Sequence, residues 1–85
     1  MKALTNEQKY SIADKLAEGY KDVFDTNKLE SDKPYRYQVF GVICHTPNSK
    51  GIELTDKYSE EDVQHIANLT INKLINPLSR VVVDF

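Results

Sequence analysis

Apolar and polar positions change rhythm several times along this chain, and each change predicts an element. Residues 6–24 follow the 3.6-residue period of a helix. Ile12, Leu16 and Val23 form one edge of an apolar stripe, and Ala13, Ala17, Tyr20 and Phe24 form the other. Glu7, Ser11, Asp14, Lys15, Glu18, Lys21 and Asp22 fall opposite. Thr5-Asn6-Glu7-Gln8 has the form of a capping box, with Thr5 as N-cap and Gln8 reaching back to it. Gly19 weakens this helix by about 1 kcal/mol relative to Ala, but it stands at the stripe's edge, where a sheet could approach closely.

Asp25 to Pro34 reads as a loop tacked to the core by Leu29, and Pro34 favours extended backbone before it. Tyr35 to Thr46 then predicts a strand. Its side chains alternate: Tyr35, Tyr37, Val39, Gly41, Ile43 and His45 point one way, and Arg36, Gln38, Phe40, Val42 and Cys44 the other. Between Val39 and Cys44 both faces are apolar, so the strand wants a cover on each side. Pro47-Asn48-Ser49-Lys50-Gly51 is turn chemistry, and Ile52-Glu53-Leu54-Thr55 completes a hairpin.

Ser59 caps a second helix, with Glu60, Glu61 and Asp62 in its first turn complementing the positive end of the dipole. Val63, Ile66, Ala67, Thr70 and Leu74 make its buried stripe, widened by Ile71, Ile75 and Leu69, and Pro77 ends it. The β-branched finish Arg80 to Phe85 predicts a third strand. The fold expected is α+β, one domain over residues 1–85, in the order α-β-β-α-β. A right-handed crossover keeps the second and third strands parallel. The first strand then lies between them (order 2-1-3), with both helices on one face as a two-layer sandwich.

Composition narrows the function. The 85 residues are 40% hydrophobic and 28% charged, which is the make-up of a folded globule. A net charge of −2 argues against a protein built to grip phosphates, as do its basic residues, nine Lys among eleven. The single cysteine, Cys44, excludes an internal disulfide and fits a reducing compartment. The N-terminus turns polar too soon for a signal peptide, and no run is long enough to cross a bilayer. The chain is therefore expected in the cytoplasm, off the membrane.

No candidate chemistry outweighs its plainer explanation. Cys44 and His45 are sequence neighbours, which on a strand point to opposite faces and cannot act as nucleophile and base. Cys44 is better read as a small packed hydrophobe. His45 and His65 have no ligand spacing that marks a metal, and His65 lies opposite the buried stripe, so no metal or cofactor is expected. Glu60, Glu61 and Asp62 serve as capping charges, with a binding role as the alternative. Tyr35, Arg36, Tyr37 and Phe40 echo the aromatic strand of single-strand RNA binders, but the charge has the wrong sign.

The function expected is a non-enzymatic protein-binding module working through an exposed sheet face or edge. Tyr35, Arg36, Tyr37, Val39 and Ile43 are its contact residues. Its partner is another protein or a second copy in a homodimer. The small size and the Lys-, Asn- and Ile-rich composition suit an inhibitor or modulator of a larger enzyme, of the kind phage and mobile elements carry. One alternative is a small-ligand-binding subunit with Cys44, His45 and Tyr37 around a cavity at the carboxyl end of the first strand. The other is a single-stranded nucleic-acid binder.

Overall fold

The computed structural model describes residues 4–45 and 54–76, and these form five helices. In chain order they are α1 (Asn6–Tyr20), α2 (Thr26–Ser31), α3 (Lys33–His45), α4 (Leu54–Lys57) and α5 (Glu60–Ile75). No strand occurs among the described residues, so the α+β sandwich is overturned. The expected first strand is α3, and Leu54 and Thr55 of the expected second strand open α4. The expected third strand, Arg80 to Phe85, the turn at 47–51 and Pro77 lie outside the described residues. The homodimer reading rested on the sheet face and falls with it. The phage origin and the inhibitor reading drawn from it rested on size and composition, and the fold gives neither any support.

The physical reason lies in how α3 distributes the same residues. At 100° per residue, Arg36, Val39, Phe40, Ile43 and Cys44 gather on one side, and Pro34, Tyr37, Gln38, Gly41, Val42 and His45 on the other. Val39, Ile43 and Cys44 are buried, whereas Tyr37, Gln38 and His45 are exposed. A run apolar on both faces of a strand is thus half apolar on a helix, which needs only one cover. Pro34 sits in the first turn of α3, where its missing N–H would have no helical partner.

Asp32 is the hinge between α2 and α3. Its N–H donates to the Lys28 carbonyl (2.8 Å), ending α2, and its carbonyl accepts from the Arg36 N–H (3.0 Å). Its carboxylate accepts from the Tyr35 N–H at 3.2 Å, in the manner of an N-cap. α2 itself replaces part of the expected loop. Asp25 starts it by accepting from the N–H groups of Asn27 (3.0 Å) and Lys28 (3.3 Å), and Leu29 anchors it, fully buried.

The two outer helices follow their capping signals. Thr5 Oγ1 accepts from the Gln8 N–H (3.1 Å) while the Thr5 N–H donates to Gln8 Oε1 (2.9 Å), closing the capping box. α1 stops at Tyr20, short of Phe24, and Val23 is left exposed beyond its end. α5 begins after Ser59, whose hydroxyl accepts from the Asp62 N–H. It buries Val63, Ile66, Ala67, Leu69, Thr70, Ile71 and Leu74. Buried so widely, α5 is the central rod: every other helix packs against it, and α3 also meets α2 and α4. The core is centred on Leu29, Ile43, Ile66 and Thr70, whose hydroxyl donates to the Ile66 carbonyl at 2.7 Å.

Candidate functional site

Covering α3 on one side by α2, α4 and α5 leaves its other side outward. Tyr37 is 76% exposed there and Val42 37%. Gly41 lies between their angular positions, and a Cβ built on it would meet nothing within 4 Å. Pro34, Gln38 and His45 complete the stripe, which carries no carboxylate, Lys or Arg. Elsewhere the surface is dense in charge: Glu7, Lys15, Glu18 and Lys21 are exposed on α1 or just after it.

The five expected contact residues do not share this surface. Val39 and Ile43 are core residues, 2% and 1% exposed. The Tyr35 hydroxyl accepts from the Asp25 N–H (2.9 Å), and Lys28 Nζ lies 5.6 Å from the Tyr35 ring centroid, so this tyrosine braces α2. Arg36 donates through Nε to the Leu29 carbonyl (2.7 Å) and through a terminal nitrogen to the Glu30 carbonyl (3.0 Å). Its guanidinium satisfies the carbonyl end of α2, so it serves the fold. Tyr37 is the member of the set that faces outward.

At the carboxyl end of α3 a cleft of about 310 Å³ opens between this helix, α4 and the start of α5. Phe40, Cys44, His45, Thr55, Tyr58, Glu60, Val63 and Gln64 line it. Cys44 and His45 therefore do border one cavity, while Tyr37 lies outside it. Burial pushes the Cys44 thiol up, which keeps it protonated and a poor nucleophile. Cys44 belongs to the core cluster with Val63 and Ile66.

A polar cluster that the sequence hides ties α1 to α5. Asp62 is 5% exposed although it stands among capping acids. Its carboxylate lies 3.3 Å from Lys9 Nζ and accepts from the Leu4 N–H at 3.3 Å. Burial alone pushes the Asp62 carboxyl up, but the Leu4, Lys9 and Ser59 contacts outweigh it and hold it below the usual aspartate range. His65 is half-buried rather than solvated, with Nδ1 3.2 Å from Lys9 Nζ. That contact requires an unprotonated Nδ1. Burial first, then the Lys9 charge, hold His65 below its ordinary value, against a smaller opposing pull from Asp62.

Glu60 and Glu61 remain exposed, so the acidic turn divides into two solvated carboxylates and one structural one. Among the described residues no three metal-ligating side chains come together, and no helix is long and apolar enough to cross a membrane. No protein-family model, no curated protein and no solved structure matches this chain.

Proposed function

We propose that this chain is a small protein-binding module that docks an uncharged, apolar helix of another protein along the outward side of α3. The observation that carries the reading is the stripe around Gly41. Tyr37 and Val42 stand exposed on either side of a position without a side chain, on a stripe that has no carboxylate, Lys or Arg of its own and is bordered by the exposed Lys33 one turn before Tyr37. A helix interior disfavours glycine by about 1 kcal/mol relative to Ala, and a Cβ at position 41 would meet no described residue within 4 Å. A glycine on an open helix face lets a second backbone approach closer than the usual spacing of about 8–10 Å. Tyr37 then supplies the large, amphipathic contact typical of interface anchors.

Absence of charge selects the partner. A carboxylate or ammonium brought onto this stripe would lose water without gaining a counter-charge. A helix without formal charge avoids that cost when it covers Tyr37, Gly41 and Val42 and leaves Gln38 and His45 at the wet rim.

The test is site-specific photo-cross-linking in cells that express the protein naturally. A benzophenone amino acid is placed at Tyr37 and, as control, at the exposed Glu18 of α1. The expected result is a discrete protein adduct from position 37 that is missing from position 18 and disappears when Val42→Glu is added. Adducts of equal yield from both positions, or adducts only to copies of the chain itself, would overturn the reading.

A further inference from the structure

We infer that the cleft between α3, α4 and α5 is a binding site for a small aromatic ammonium compound, a primary amine on a short tether from one ring. This proposal does not need the docking reading, although His45 borders both surfaces. It rests on the volume of the cleft, the make-up of its lining and the charge of its described residues.

The volume, about 310 Å³, is at the small end of the range for organic ligands, roughly 300–1,000 Å³. It suits a single ring with a two-carbon arm. The lining is part apolar and part polar. Phe40, Cys44 and Val63 form an apolar floor, of which Cys44 and Val63 are 4% and 2% exposed. The thiol stays uncharged because burial raises it, so the floor offers a ring an edge of sulfur and an aromatic face. The remaining lining residues are polar: Thr55, Tyr58, His45, Gln64 and Glu60.

The charge decides between ligand classes. Among the described residues no Lys or Arg lines the cleft, and Glu60 is the one carboxylate that does. Lys57 is close by, but its Nζ lies over the Tyr58 ring, 5.6 Å from the centroid. The start of α5 contributes a partial positive charge of about 0.5, which the exposed Glu60 and Glu61 outweigh. A carboxylate or phosphate entering here would find no Lys or Arg among the described lining residues, only Lys57 over the Tyr58 ring, whereas an ammonium would find Glu60. That carboxylate now accepts a long hydrogen bond from Gln64 Nε2, 3.4 Å, which an ammonium could replace with a shorter, charge-assisted one.

The experiment is an NMR titration of the full chain with three matched probes: 2-phenylethylammonium, 2-phenylethanol and phenylacetate. The expected result is that resonances of Cys44, His45, Tyr58 and Val63 shift together. The ammonium should bind about tenfold tighter than the alcohol, the scale of one charge-assisted hydrogen bond, with the acetate weakest. Glu60→Gln should bring the ammonium down to the level of the alcohol without changing the alcohol. Gln64→Lys, which would pair with Glu60, should abolish the preference for the ammonium. Both positions are exposed, so the variants should fold, and their unfolding midpoints verify it. Three outcomes would each overturn the proposal: phenylacetate binding as tightly as the ammonium, shifts scattered away from the cleft, or no shift at its lining residues at millimolar probe.

Discussion

Lys9 Nζ lies 3.3 Å from Asp62 Oδ1, and their side chains are only 15% and 7% exposed. This ion pair pins the first turn of α1 to the first turn of α5. The neighbouring Leu4 N–H on the same carboxylate draws the chain before α1 into the contact. Removing one partner leaves the other charge nearly dry.

Lys9→Met is therefore expected to destabilise the fold by about 2–3 kcal/mol, because Asp62 then keeps its desolvation without its counter-charge. Lys9→Met with Asp62→Leu should cost clearly less than the two single changes added together. Urea unfolding of the four proteins in this cycle checks it. Strict additivity would show that the pair is not coupled.

Stability should also depend on pH in two windows. The folded His65 titrates below its unfolded value near 6.5, so the folded chain holds fewer protons than the unfolded one as pH falls past that point. The stability His65 contributes is complete above pH 6.5 and is lost as pH drops through the lower folded value. Asp62 behaves the same way further down, its share being complete above about 3.8 and lost below. Denaturation midpoints measured from pH 8 to 3 should show both declines, and His65→Gln should flatten the first alone. A midpoint unchanged between pH 7 and 5 would contradict the neutral Nδ1 contact with Lys9.

Where the sequence could be read, capping and long periodicity made it possible. Thr5 with Gln8, and Ser59 ahead of three acids, mark the starts of α1 and α5, and sixteen residues of steady period expose the α5 stripe. Residues 33–45 defeat the same approach. Val39, Val42 and Ile43 favour strands, and a short run apolar at successive positions satisfies both periods. Asp32 two residues ahead of Pro34 is the local cue to a helix here, since an N-cap followed by an early proline opens helices. α2 has only six residues and one apolar anchor, so nothing local distinguishes it from a loop until Leu29 is seen to be buried. Of the expected contact residues, Tyr37 lies on the outward stripe of α3, whereas the apolar Val39 and Ile43 are spent in the core. The burial of Asp62 depends on Lys9, more than fifty residues away, and no local pattern reveals it.

Leu29 should be among the most sensitive positions. A six-residue helix has almost no stability of its own, so α2 exists because this side chain is fully buried. Leu29→Ala is expected to cost about 3 kcal/mol. It should also raise amide exchange in α2 well above that in α5. A cost below 1 kcal/mol with α2 still protected would mean that the Arg36 and Tyr35 hydrogen bonds alone hold it.

Cys44 should behave as a core residue despite bordering the cleft. It is 4% exposed, and burial keeps its thiol protonated. Alkylation by iodoacetamide at pH 8 should be slow in the native protein and accelerate on adding denaturant, tracking the unfolded fraction. Rapid native labelling would indicate that the cleft opens to its floor.

Gly19 and Gly41 offer a comparison that separates folding from docking. Both stand within helices, and a Cβ on either would meet nothing within 4 Å. Replacing either with Ala should stabilise the isolated chain by about 0.5–1 kcal/mol, since the unfolded state loses freedom and no contact is strained. Their consequences for binding should differ. A leucine at position 41 fills the space between Tyr37 and Val42 on the stripe proposed to receive a partner helix, whereas a leucine at position 19 sits on α1, away from it. Gly41→Leu should therefore leave thermal stability at or above that of the parent while reducing the cross-linked adduct from position 37 severalfold. Gly19→Leu should spare the adduct. If Gly41→Leu keeps the adduct at full yield, close backbone approach is not what the open glycine provides, and the outward side of α3 loses its main claim as a docking surface.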